Sequence, residues 1–523
     1  MNRRDALQRA NEARPWDVLV LGGGATGLGA AVDAAARGYR TLLVEQADFA
    51  KGTSSRSTKL VHGGVRYLQQ GNLALVLEAL KERGRMLHNA PHLVRRQSFV
   101  IPANALWEVP FYGIGLKLYD ALSGRSSFGR SRMLGAEAVR SMLPTVAGEQ
   151  LAGGVEYFDG QFDDARYSLA LARTLDSLGG TALNYTRMVR LLKRSGKVSG
   201  AVLRDEETGS EFEVQATAVI NATGVFTDAV RRLDEPETQP IVTFSQGSHL
   251  VLPRSFLPGT SALMVPKTRD GRVLFAIPWH NAVVVGTTDD GVPSASLEPR
   301  PMEQELTFLR EHIALYFGRA PEDHEVLSMW SGLRPLVRRQ GTDSTAKLSR
   351  EHTVLVSASG LVSITGGKWT TYRRMGEDAV NIAAQHSGLT PSPCRTQDLR
   401  LHGWSEEAGS SDDAEHELHV YGSDQAALDA LAASSPAMAA RLHDRLPYRV
   451  AEVAWAARYE MARTVEDVLA RRTRALFLDA RAALDAAPAV AACLAAELGC
   501  DEAWQQSQVT AFAAVANGYV YAG

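Results

Sequence analysis

The sequence has few cysteines, almost no net charge and no long apolar run. Its three cysteines (Cys394, Cys493 and Cys500) have neither the spacing of metal ligands nor that of a disulfide framework, which favours a reducing compartment and predicts no metal site. The formal net charge of -3 gives no basic field that would attract a nucleic acid. The N-terminus has no apolar core for a signal peptide, and the alanine-rich segment 486–498 is too short to span a bilayer. Any membrane contact is therefore expected to be peripheral.

Chain length and composition indicate a soluble protein with more than one lobe. The chain has 523 residues, which exceeds what one hydrophobic core usually organises. Hydrophobic residues make up 45% and charged residues 22%, as in ordinary globular proteins. We therefore expect two or three lobes.

The segment DVLVLGGGATGLGAAVDAAARGYRTLLVEQ (17–46) is typical of a dinucleotide-binding unit. A short apolar strand ends in glycines spaced G-x-G-x-x-G, a helix rich in small residues follows, and a second apolar strand ends at Glu45. Gly22 suits a tight turn, Gly24 lets the backbone approach a pyrophosphate, and Gly27 lets the helix pack closely on the strand. The helix N-terminus attracts phosphate, and the Glu45 carboxylate can accept both ribose hydroxyl hydrogens. The pattern predicts an adenine dinucleotide but does not separate FAD from NAD.

Two later segments favour a flavin. The segment ATAVINATGVFTDAV (216–230) is a buried strand followed by a glycine and a helix, and it resembles the strand beneath the adenosine half of FAD in glutathione-reductase-like flavoproteins. The segment HTVLVSASGLVSITGGKWTTYRRMGEDAV (352–380) begins a strand–glycine–helix unit and places Gly366 and Gly367 before a helix, whose N-terminus would stabilise negative charge on a reduced flavin ring. Its GGKWT is not a P-loop, because Val362 stands where the first glycine of that motif would be.

These motifs, in this order, resemble those of the FAD-dependent glycerol-3-phosphate dehydrogenases, within the D-amino-acid-oxidase type of flavoprotein. The resemblance covers nearly the whole chain and rests on GGGATG, GTSSRSTKLVHGGVRYL, VEYFDGQFDDARY, NATG, QGSHLVLP, FAIPWHNAVVVGTTD, SGLRPL and GGKWTTYR. It implies an α/β fold in which a Rossmann-type FAD-binding lobe is interleaved with an antiparallel-sheet substrate lobe. It also implies a respiratory enzyme that oxidises sn-glycerol 3-phosphate to dihydroxyacetone phosphate by hydride transfer from carbon 2 to flavin N5.

The order of the segments predicts how the chain divides. Residues 1–390 contain the FAD-binding lobe and the interleaved substrate lobe, in which two apolar runs joined by HN predict a hairpin. A polar linker rich in Ser and Pro follows, and the alanine-rich residues 391–523 predict an all-helical C-terminal domain. The FAD-binding lobe is expected from three segments, about 17–90, 150–235 and 350–385.

The phosphate dianion of glycerol 3-phosphate calls for cations in the pocket. Arg66, Arg334 and Lys368 stand in glycine-flanked settings with few charged neighbours, namely HGGVRYL, SGLRPL and GGKWT, and Tyr67 adds a hydroxyl donor. The planar guanidinium of arginine can donate paired hydrogen bonds to phosphate oxygens. A buried ion pair or a surface charge is the alternative interpretation of each cation. With the resemblance, we expect Arg66, Tyr67, Arg334 and Lys368 to bind the substrate.

The substrate hydroxyl needs a base, for which the resemblance favours His249 in QGSHLVLP. Histidine exchanges protons near neutral pH, although a lone histidine before an apolar run is usually a core residue. His62 is the alternative base but is expected to line the flavin, and Arg334 can instead polarise the hydroxyl. Gln246 departs from the family, in which many members carry a basic residue there, and this departure predicts a less cationic pocket.

Two polar clusters near these motifs favour structural roles. Asp163 and Asp164 in FDDAR look like a catalytic carboxylate pair, but they stand where a helix begins, which favours helix capping. Thr287, Thr288 and Asp289 follow a predicted strand, and they fit structural support of the site as well as they fit contact with substrate.

The hydroxyl-rich segment TSSRSTKLVHGGVRYL (53–68) follows the first nucleotide unit, so its start is expected beside FAD and its end beside the substrate. Its hydroxyls are candidate hydrogen-bond donors to the cofactor, and its glycine pair would let the backbone pass close to the flavin ring. Together with the later motifs, the segment and the resemblance imply FAD contacts from Gly22, Gly24, Gly27, Glu45, Thr53, Ser54, Ser57, His62, Gly63, Gly64, Ala222, Gly224, Gly366, Gly367, Lys368 and Thr370.

The electron acceptor is open between a quinone at a membrane surface and oxygen, and resemblance to the dehydrogenase branch favours the quinone. The resemblance also implies an enzyme attached peripherally to the inner face of the cytoplasmic membrane, and it allows a homodimer. The segment ALWEVPFYGIGLKLYDAL (105–122) is aromatic and apolar, which fits either an interfacial helix or a buried one, and we favour burial.

Three other functions remain open for the whole chain. A glycerol-3-phosphate oxidase would use oxygen as the acceptor. An amine or amino-acid oxidase of the same superfamily would need one arginine for a carboxylate rather than three cations. An RNA-binding flavoprotein would need a basic, aromatic surface, which the neutral charge balance does not support.

Overall fold

The apolar segments of the sequence form the strands of two sheets in the computed structural model. The structure describes residues 1–64, 73–124, 127–146, 151–268, 270–338, 352–406 and 417–522. The strands β1 to β18 are Trp16–Leu21, Thr41–Val44, Leu60–Val61, Val94–Ala103, Arg132–Gly135, Gly153–Phe162, Thr181–Leu183, Thr186–Arg194, Lys197–Asp205, Glu211–Asn221, Val242–Pro253, Ala262–Val265, Leu274–Trp279, Ala282–Gly286, Asp290–Val292, Ser328–Val337, His352–Val356 and Val362–Gly366. The α-helices α1 to α15 are Arg3–Ala10, Ala25–Ala36, Leu73–Asn89, Glu108–Ser123, Ala136–Met142, Asp164–Ser177, Thr227–Asp234, Glu303–Phe317, Tyr372–Ser387, Gln425–Ala433, Pro436–Ala439, Val450–Tyr459, Ala475–Leu478, Ala480–Leu498 and Glu502–Ala516.

The smaller sheet carries the predicted nucleotide-binding lobe. Strands β10, β1, β2 and β7 run parallel, β18 extends them, and β17 adds an antiparallel edge. Strand β2 is buried along its whole length, as expected of a parallel strand covered on both faces. Helices α2 and α9 cross where Gly29 faces Gly376, since a methyl group on Gly376 would lie 2.5 Å from the backbone carbon of Gly29. The predicted strand–glycine–helix units at 17–46 and 352–380 are therefore confirmed.

The larger sheet forms the second lobe. Strand β11 pairs antiparallel with β14 on one side and with β16 on the other, and β13 and β14 form the predicted hairpin. Strand β6 pairs with β4 in an unbroken register from Val94 opposite Phe162 to Ala103 opposite Gly153. Strands β3 and β6 therefore lie in this sheet, although we expected residues 17–90 and 150–235 in the FAD-binding lobe. That lobe resumes at α6.

The C-terminal part of the chain is helical and packs against the larger sheet. From residue 417 onwards, every regular element in the described part of the chain is helical, apart from one β-bridge between Arg441 and Arg449. Phe477 of α13 packs on Trp330 of β16 with ring centroids 5.3 Å apart. A single buried cluster that includes Val251, Val284 and Trp330 joins this domain to β11, β14 and β16. The domain therefore packs on the face of β11 and β16 to which Val251 and Trp330 point.

Helix α4 corrects one expectation. We favoured burial of the segment 105–122, but its apolar side chains are largely exposed: Trp107 by 66%, Phe111 by 58% and Ile114 by 70%. The opposite face of the helix is buried, and its Tyr119 donates a hydrogen bond to Asp159. The apolar residues therefore cover two faces of α4, one packed against the protein and one directed outward. None of the helices in the described ranges combines the length and apolar character needed to cross a bilayer.

Candidate active site

The glycine turn after β1 has the geometry that its sequence predicts. Gly22 has φ +108°, which favours glycine, and a methyl group on Gly27 would lie 3.0 Å from the carbonyl carbon of Gly22. Helix α2 thus begins against the turn. Its N-cap residue is Gly24, which has no side chain to cap the helix. The amide of Ala25 donates instead to the hydroxyl of Ser54, at 2.9 Å.

The Glu45 carboxylate closes the other side of this turn. It accepts the amide hydrogen of Gly23 at 2.7 Å and that of Ala47 at 3.0 Å. Burial raises its pKa above the ordinary value, against the effect of these two hydrogen bonds. A helix N-terminus and an acceptor thus lie at one glycine turn, and this donor set fits the pyrophosphate and ribose of FAD. Gly24, Ser54 and Glu45 are the residues that would hold that half of the cofactor.

Two other predicted cofactor donors use their hydroxyl hydrogens within the protein. Thr53 donates to the carbonyl of Leu333 at 2.6 Å, and Ser57 donates to Asp164 at 2.7 Å. These bonds fasten the segment to β16 and to α6. We therefore leave Thr53 and Ser57 out of the proposed FAD contacts. The sequence could not show these hydrogen bonds, because their acceptors lie far away along the chain.

Gly63 has a different role from the one we expected. A methyl group on Gly63 would lie 2.5 Å from both Leu80 Cδ2 and Tyr119 Oη, and its amide donates to that hydroxyl at 2.9 Å. The missing side chain makes room for protein atoms rather than for the flavin ring. Gly64, with φ +76°, ends the described part of this segment. The substrate candidates Arg66 and Tyr67 lie outside the described residues.

The remaining predicted cofactor residues lie at the carboxyl ends of β10 and β18. Ala222 follows β10 and bonds to the carbonyl of Leu21, and Gly224 begins a short 3₁₀ turn. Gly366 ends β18, Gly367 follows it, and Lys368 precedes the 3₁₀ turn Trp369–Thr371. Within this turn the Thr370 hydroxyl lies 3.5 Å from the carbonyl of His62, and the Trp369 indole donates to the carbonyl of Ser54 at 2.8 Å. The turn after β18 thus meets the hydroxyl-rich segment, as the cofactor assignment requires.

His249 and Arg334 lie on the same face of two adjacent strands. In the antiparallel register of β11 and β16, Ser245 is opposite Arg334 and His249 is opposite Trp330. The His249 ring stacks on Trp330 with centroids 4.0 Å apart, and its Nε2 lies 3.0 Å from the Thr58 hydroxyl. Burial, followed by the charges of Lys59 and Arg334, lowers the pKa of His249 well below its ordinary value. The lowered pKa favours the neutral imidazole, which is the form that can accept a proton.

Arg334 is held in one orientation by the loop after β14. Its guanidinium donates to Thr287 Oγ1 at 2.9 Å and to the Thr288 carbonyl at 3.2 Å, and it pairs with Asp289 at 3.3 Å. The cluster 287–289, for which support and substrate contact were both open, therefore supports Arg334. A cation fixed in this way can meet an anion without losing further side-chain freedom.

Gln246 lies on the opposite face of β11 from His249. Its amide donates to Glu305 at 2.7 Å and to the Arg300 carbonyl at 2.8 Å, and the residue is buried. Side chains alternate along a strand, so residues 246 and 249 must point to different faces. The expectation of a less cationic pocket was therefore wrong, because the residue at this position does not face His249 and Arg334.

The two carboxylates at the start of α6 differ from each other. Asp163 caps the helix by accepting the amide of Arg166 at 3.0 Å, which confirms the capping prediction. Asp164 is fully buried and binds the ammonium of Lys59 at 2.8 Å and the guanidinium of Arg474 at 3.1 Å. Sequence reasoning missed Lys59 and Arg474, although a lysine between hydroxyls and an apolar strand was an available signal for a buried cation.

Known proteins show which family this fold and site belong to. The family model described as FAD dependent oxidoreductase matches residues 17–373, and the C-terminal domain of alpha-glycerophosphate oxidase matches residues 362–505. The chain is 41% identical to a probable mitochondrial glycerol-3-phosphate dehydrogenase of Caenorhabditis elegans, over 97% of this chain and 74% of that protein. It is 40% identical to the human mitochondrial glycerol-3-phosphate dehydrogenase, over 96% of this chain and 73% of that protein.

The chain belongs to the FAD-dependent glycerol-3-phosphate dehydrogenases. Its fold also matches the crystal structure of the glycerol-3-phosphate dehydrogenase from Bacillus halodurans complexed with FAD, with a TM-score of 0.81 and 28% identity over 99% of this chain and 97% of that one. An L-alpha-glycerophosphate oxidase from Mycoplasma pneumoniae shares the fold at a TM-score of 0.54 and 16% identity, over 74% and 98% of the two chains. The predicted family, fold class and cofactor, FAD, are confirmed.

Two glycines allow the effects of Arg334 and His249 to be separated. A methyl group on Gly247 would overlap the Arg334 guanidinium, with its Cζ at 2.7 Å, and one on Gly286 would overlap the His249 ring, with its Cγ at 2.8 Å. We expect Gly247→Ala to raise KM about ten-fold or more, because a charged hydrogen bond contributes about 1.5–3 kcal/mol. Gly286→Ala should instead lower kcat by about ten-fold or more, because a general base contributes at least that factor.

Steady-state kinetics and thermal unfolding measure both effects. Gly115→Ala is the control, since a methyl group there meets no atom within 4 Å. If Gly247→Ala and Gly286→Ala changed KM by the same factor and kcat by the same factor, separate roles for Arg334 and His249 would be contradicted.

The lowered pKa of His249 predicts a pH profile. A base works only when neutral, so the rate of flavin reduction falls as the pH drops through the pKa of His249 in the folded protein. Because that pKa lies well below 6.5, the rate should stay constant as the pH falls to 6.5.

Stopped-flow reduction of the flavin at a series of pH values checks this profile. The variant Arg334→Met should move the acid limb to higher pH, because it removes one of the two positive charges that lower the pKa of His249. If the rate of flavin reduction in the unmodified enzyme already fell at a pH above 6.5, the loss would be due to protonation of a group other than His249.

Proposed function

We propose that this enzyme oxidises sn-glycerol 3-phosphate to dihydroxyacetone phosphate. The observation that carries the proposal is the pairing of a neutral, buried histidine and a fixed arginine on one face of β11 and β16. Oxidation of a secondary alcohol needs a proton acceptor, and recognition of a phosphate dianion needs a cation. Both groups lie beside segment 53–58, which leads away from the glycine turn of the FAD-binding lobe.

In this assignment each protein group has one task. Bound FAD supplies the hydride acceptor for carbon 2. His249 takes the hydroxyl proton, and Arg334 binds an anionic oxygen of the substrate. Arg66, Tyr67 and Lys368 complete the substrate site in this proposal, with Lys368 also near the flavin. The larger sheet excludes water around His249, since that residue is only 2% exposed.

We propose a membrane quinone as the electron acceptor, with the protein attached peripherally to the inner face of the cytoplasmic membrane. The support is the outward face of α4, where Trp107, Phe111, Ile114 and Leu118 are exposed at helical spacing. A helix with aromatic and aliphatic side chains on one face is typical of proteins that lie in the lipid headgroup region. Helix α3, which packs against α4 through Val76, Leu80 and Tyr119, also exposes Leu73 and Leu77, by 48% and 46%. The free thiols of the three cysteines are compatible with the reducing side.

The substrate proposal is tested by anaerobic addition of glycerol 3-phosphate to the purified holoenzyme. The oxidised flavin band should bleach within the time of one turnover, and a water-soluble quinone analogue should restore it much faster than oxygen does. Glycerol without the phosphate serves as the control and should leave the band largely unchanged. Absence of bleaching would refute the substrate, whereas equally rapid reoxidation by oxygen would refute the dehydrogenase assignment.

The membrane proposal predicts that a charge in the apolar patch releases the protein from lipid. Phe111→Glu should lower the fraction that sediments with vesicles of phosphatidylethanolamine and phosphatidylglycerol by about ten-fold or more, because a buried aromatic side chain contributes about 1.5–3 kcal/mol. Leu315→Glu is the matched control, since Leu315 is 44% exposed on a different helix, α8. Equal sedimentation of both variants would argue against α4 as the lipid-binding face.

A further inference from the structure

The Thr58 hydroxyl is the only described polar group within hydrogen-bond distance of the His249 ring. Nε2 lies 3.0 Å from Thr58 Oγ1, while Nδ1 is buried and has no hydrogen-bond partner among the described residues. His249 is 2% exposed, whereas Thr58 is partly exposed. The ring is covered by Trp330 on one side and approached closely by Gly286. Among the described residues, Thr58 is therefore the polar contact between the buried His249 ring and a partly exposed side chain.

Residues on both sides of Thr58 are fixed by the Asp164 carboxylate. Asp164 accepts the amide hydrogen of Ser57 at 3.0 Å and the ammonium of Lys59 at 2.8 Å. Lys59 also donates to the carbonyl of Ser55 at 2.8 Å and lies 4.7 Å from the ring centroid of Trp330. Thr58 thus stands between two residues whose backbone or side chain is bound to one buried carboxylate.

Arg474 extends this anchoring to the C-terminal domain. Its guanidinium donates to the Ser55 carbonyl at 2.8 Å and to Asp164 at 3.1 Å, and on its own side to the carbonyl of Ala470 at 2.8 Å. Arg474 is 1% exposed and has φ +67°, a conformation that a non-glycine residue adopts only when its surroundings enforce it. The backbone of the helical domain is thereby connected to the segment that carries Thr58.

We propose that the Thr58 hydroxyl relays the substrate proton to His249, and that Arg474 of the C-terminal domain holds Thr58 in the position this relay requires. The inference rests on the proposed oxidation of glycerol 3-phosphate. Thr58 is then a catalytic residue, and Arg474 is a positioning residue that acts through it.

The relay balances without any further reactant. The carbon-2 hydroxyl gives its proton to Thr58 Oγ1 as Thr58 gives its own proton to His249 Nε2, so threonine ends neutral and histidine ends protonated. The electron pair of the carbon–hydrogen bond leaves with the hydride to FAD, and the carbon–oxygen bond becomes a carbonyl. Nε2 accepts in this arrangement, so the ring hydrogen is assigned to Nδ1.

Thr58→Val and Thr58→Ser test the relay directly. Valine keeps the shape of threonine and removes the hydroxyl, so the rate of flavin reduction at saturating substrate should fall about 10- to 100-fold, within the range of general acid–base contributions. Serine keeps the hydroxyl and should stay within about three-fold of the unmodified enzyme. KM and the thermal midpoint should change little in either variant. A rate for Thr58→Val within about three-fold of the unmodified enzyme overturns the relay.

A double-mutant cycle tests whether Arg474 acts through Thr58. Arg474→Met should slow flavin reduction about ten-fold alone but less than about three-fold in the Thr58→Val background, because the two residues share one effect. Equal slowing in both backgrounds overturns the positioning role. If Arg474→Met does not fold, Arg474→Lys replaces it, since one ammonium nitrogen cannot reach both the Ala470 and the Ser55 carbonyls, which bind different nitrogens of the guanidinium.

Hydrogen exchange of segment 53–59 in the full-length holoenzyme gives a readout independent of turnover. Exchange should accelerate about ten-fold or more in Arg474→Met and remain unchanged in Arg458→Met, which removes a partly exposed ion pair with Glu497 in the same domain. Unchanged exchange in Arg474→Met overturns the anchoring. Bleaching of the unmodified enzyme by glycerol 3-phosphate separates the two levels: without bleaching the proposed function itself fails, whereas with bleaching the variants test the relay alone.

Discussion

The buried carboxylate of Asp164 is the constraint on which the geometry of the site depends. It accepts hydrogen bonds from segment 53–59, from the first turn of its own helix α6 and from Arg474 of the C-terminal domain. Three parts of the chain far apart in sequence are thus fixed by two oxygen atoms. Because a buried charge is tolerated only when fully paired, none of the three parts can move without exposing an unpaired charge to a low-dielectric interior.

The same reasoning explains why the C-terminal domain is tied to the FAD-binding lobe by charges as well as by apolar contact. Asp48, just beyond β2, is fully buried and pairs with Arg471 and Arg472 of the helical domain. These two charges lower the pKa of Asp48 even though burial alone would raise it. Removing one partner of such a pair typically costs about 3–5 kcal/mol, whereas replacing the whole pair by apolar groups often costs nothing. These ion pairs therefore connect the FAD-binding lobe to the helical domain at defined positions.

The parts of the fold that were predictable are those encoded by neighbouring residues. The glycine turn, Glu45, the hairpin β13–β14 and the helical tail each follow from patterns within about thirty residues. The contacts of Thr53 and Asp164 were not predictable, because their partners lie 280 and 310 residues away. The error about Gln246 was avoidable, since an odd spacing from His249 on one strand already places the two side chains on opposite faces.

Helix α4 shows how one element can serve a surface and a site together. Its exposed apolar face fits a lipid surface, while on its inner face the Tyr119 hydroxyl accepts the amide of Gly63 and donates to Asp159. Gly63 lies four residues beyond Lys59, where the segment that Asp164 fixes ends, so α4 contacts the chain shortly after that segment. A hydrogen bond restricts both the distance and the angle between its groups, so this contact fixes Gly63 relative to α4 more closely than an apolar contact would. The helix that exposes this apolar face and the chain just beyond segment 53–59 are therefore joined through one buried tyrosine hydroxyl.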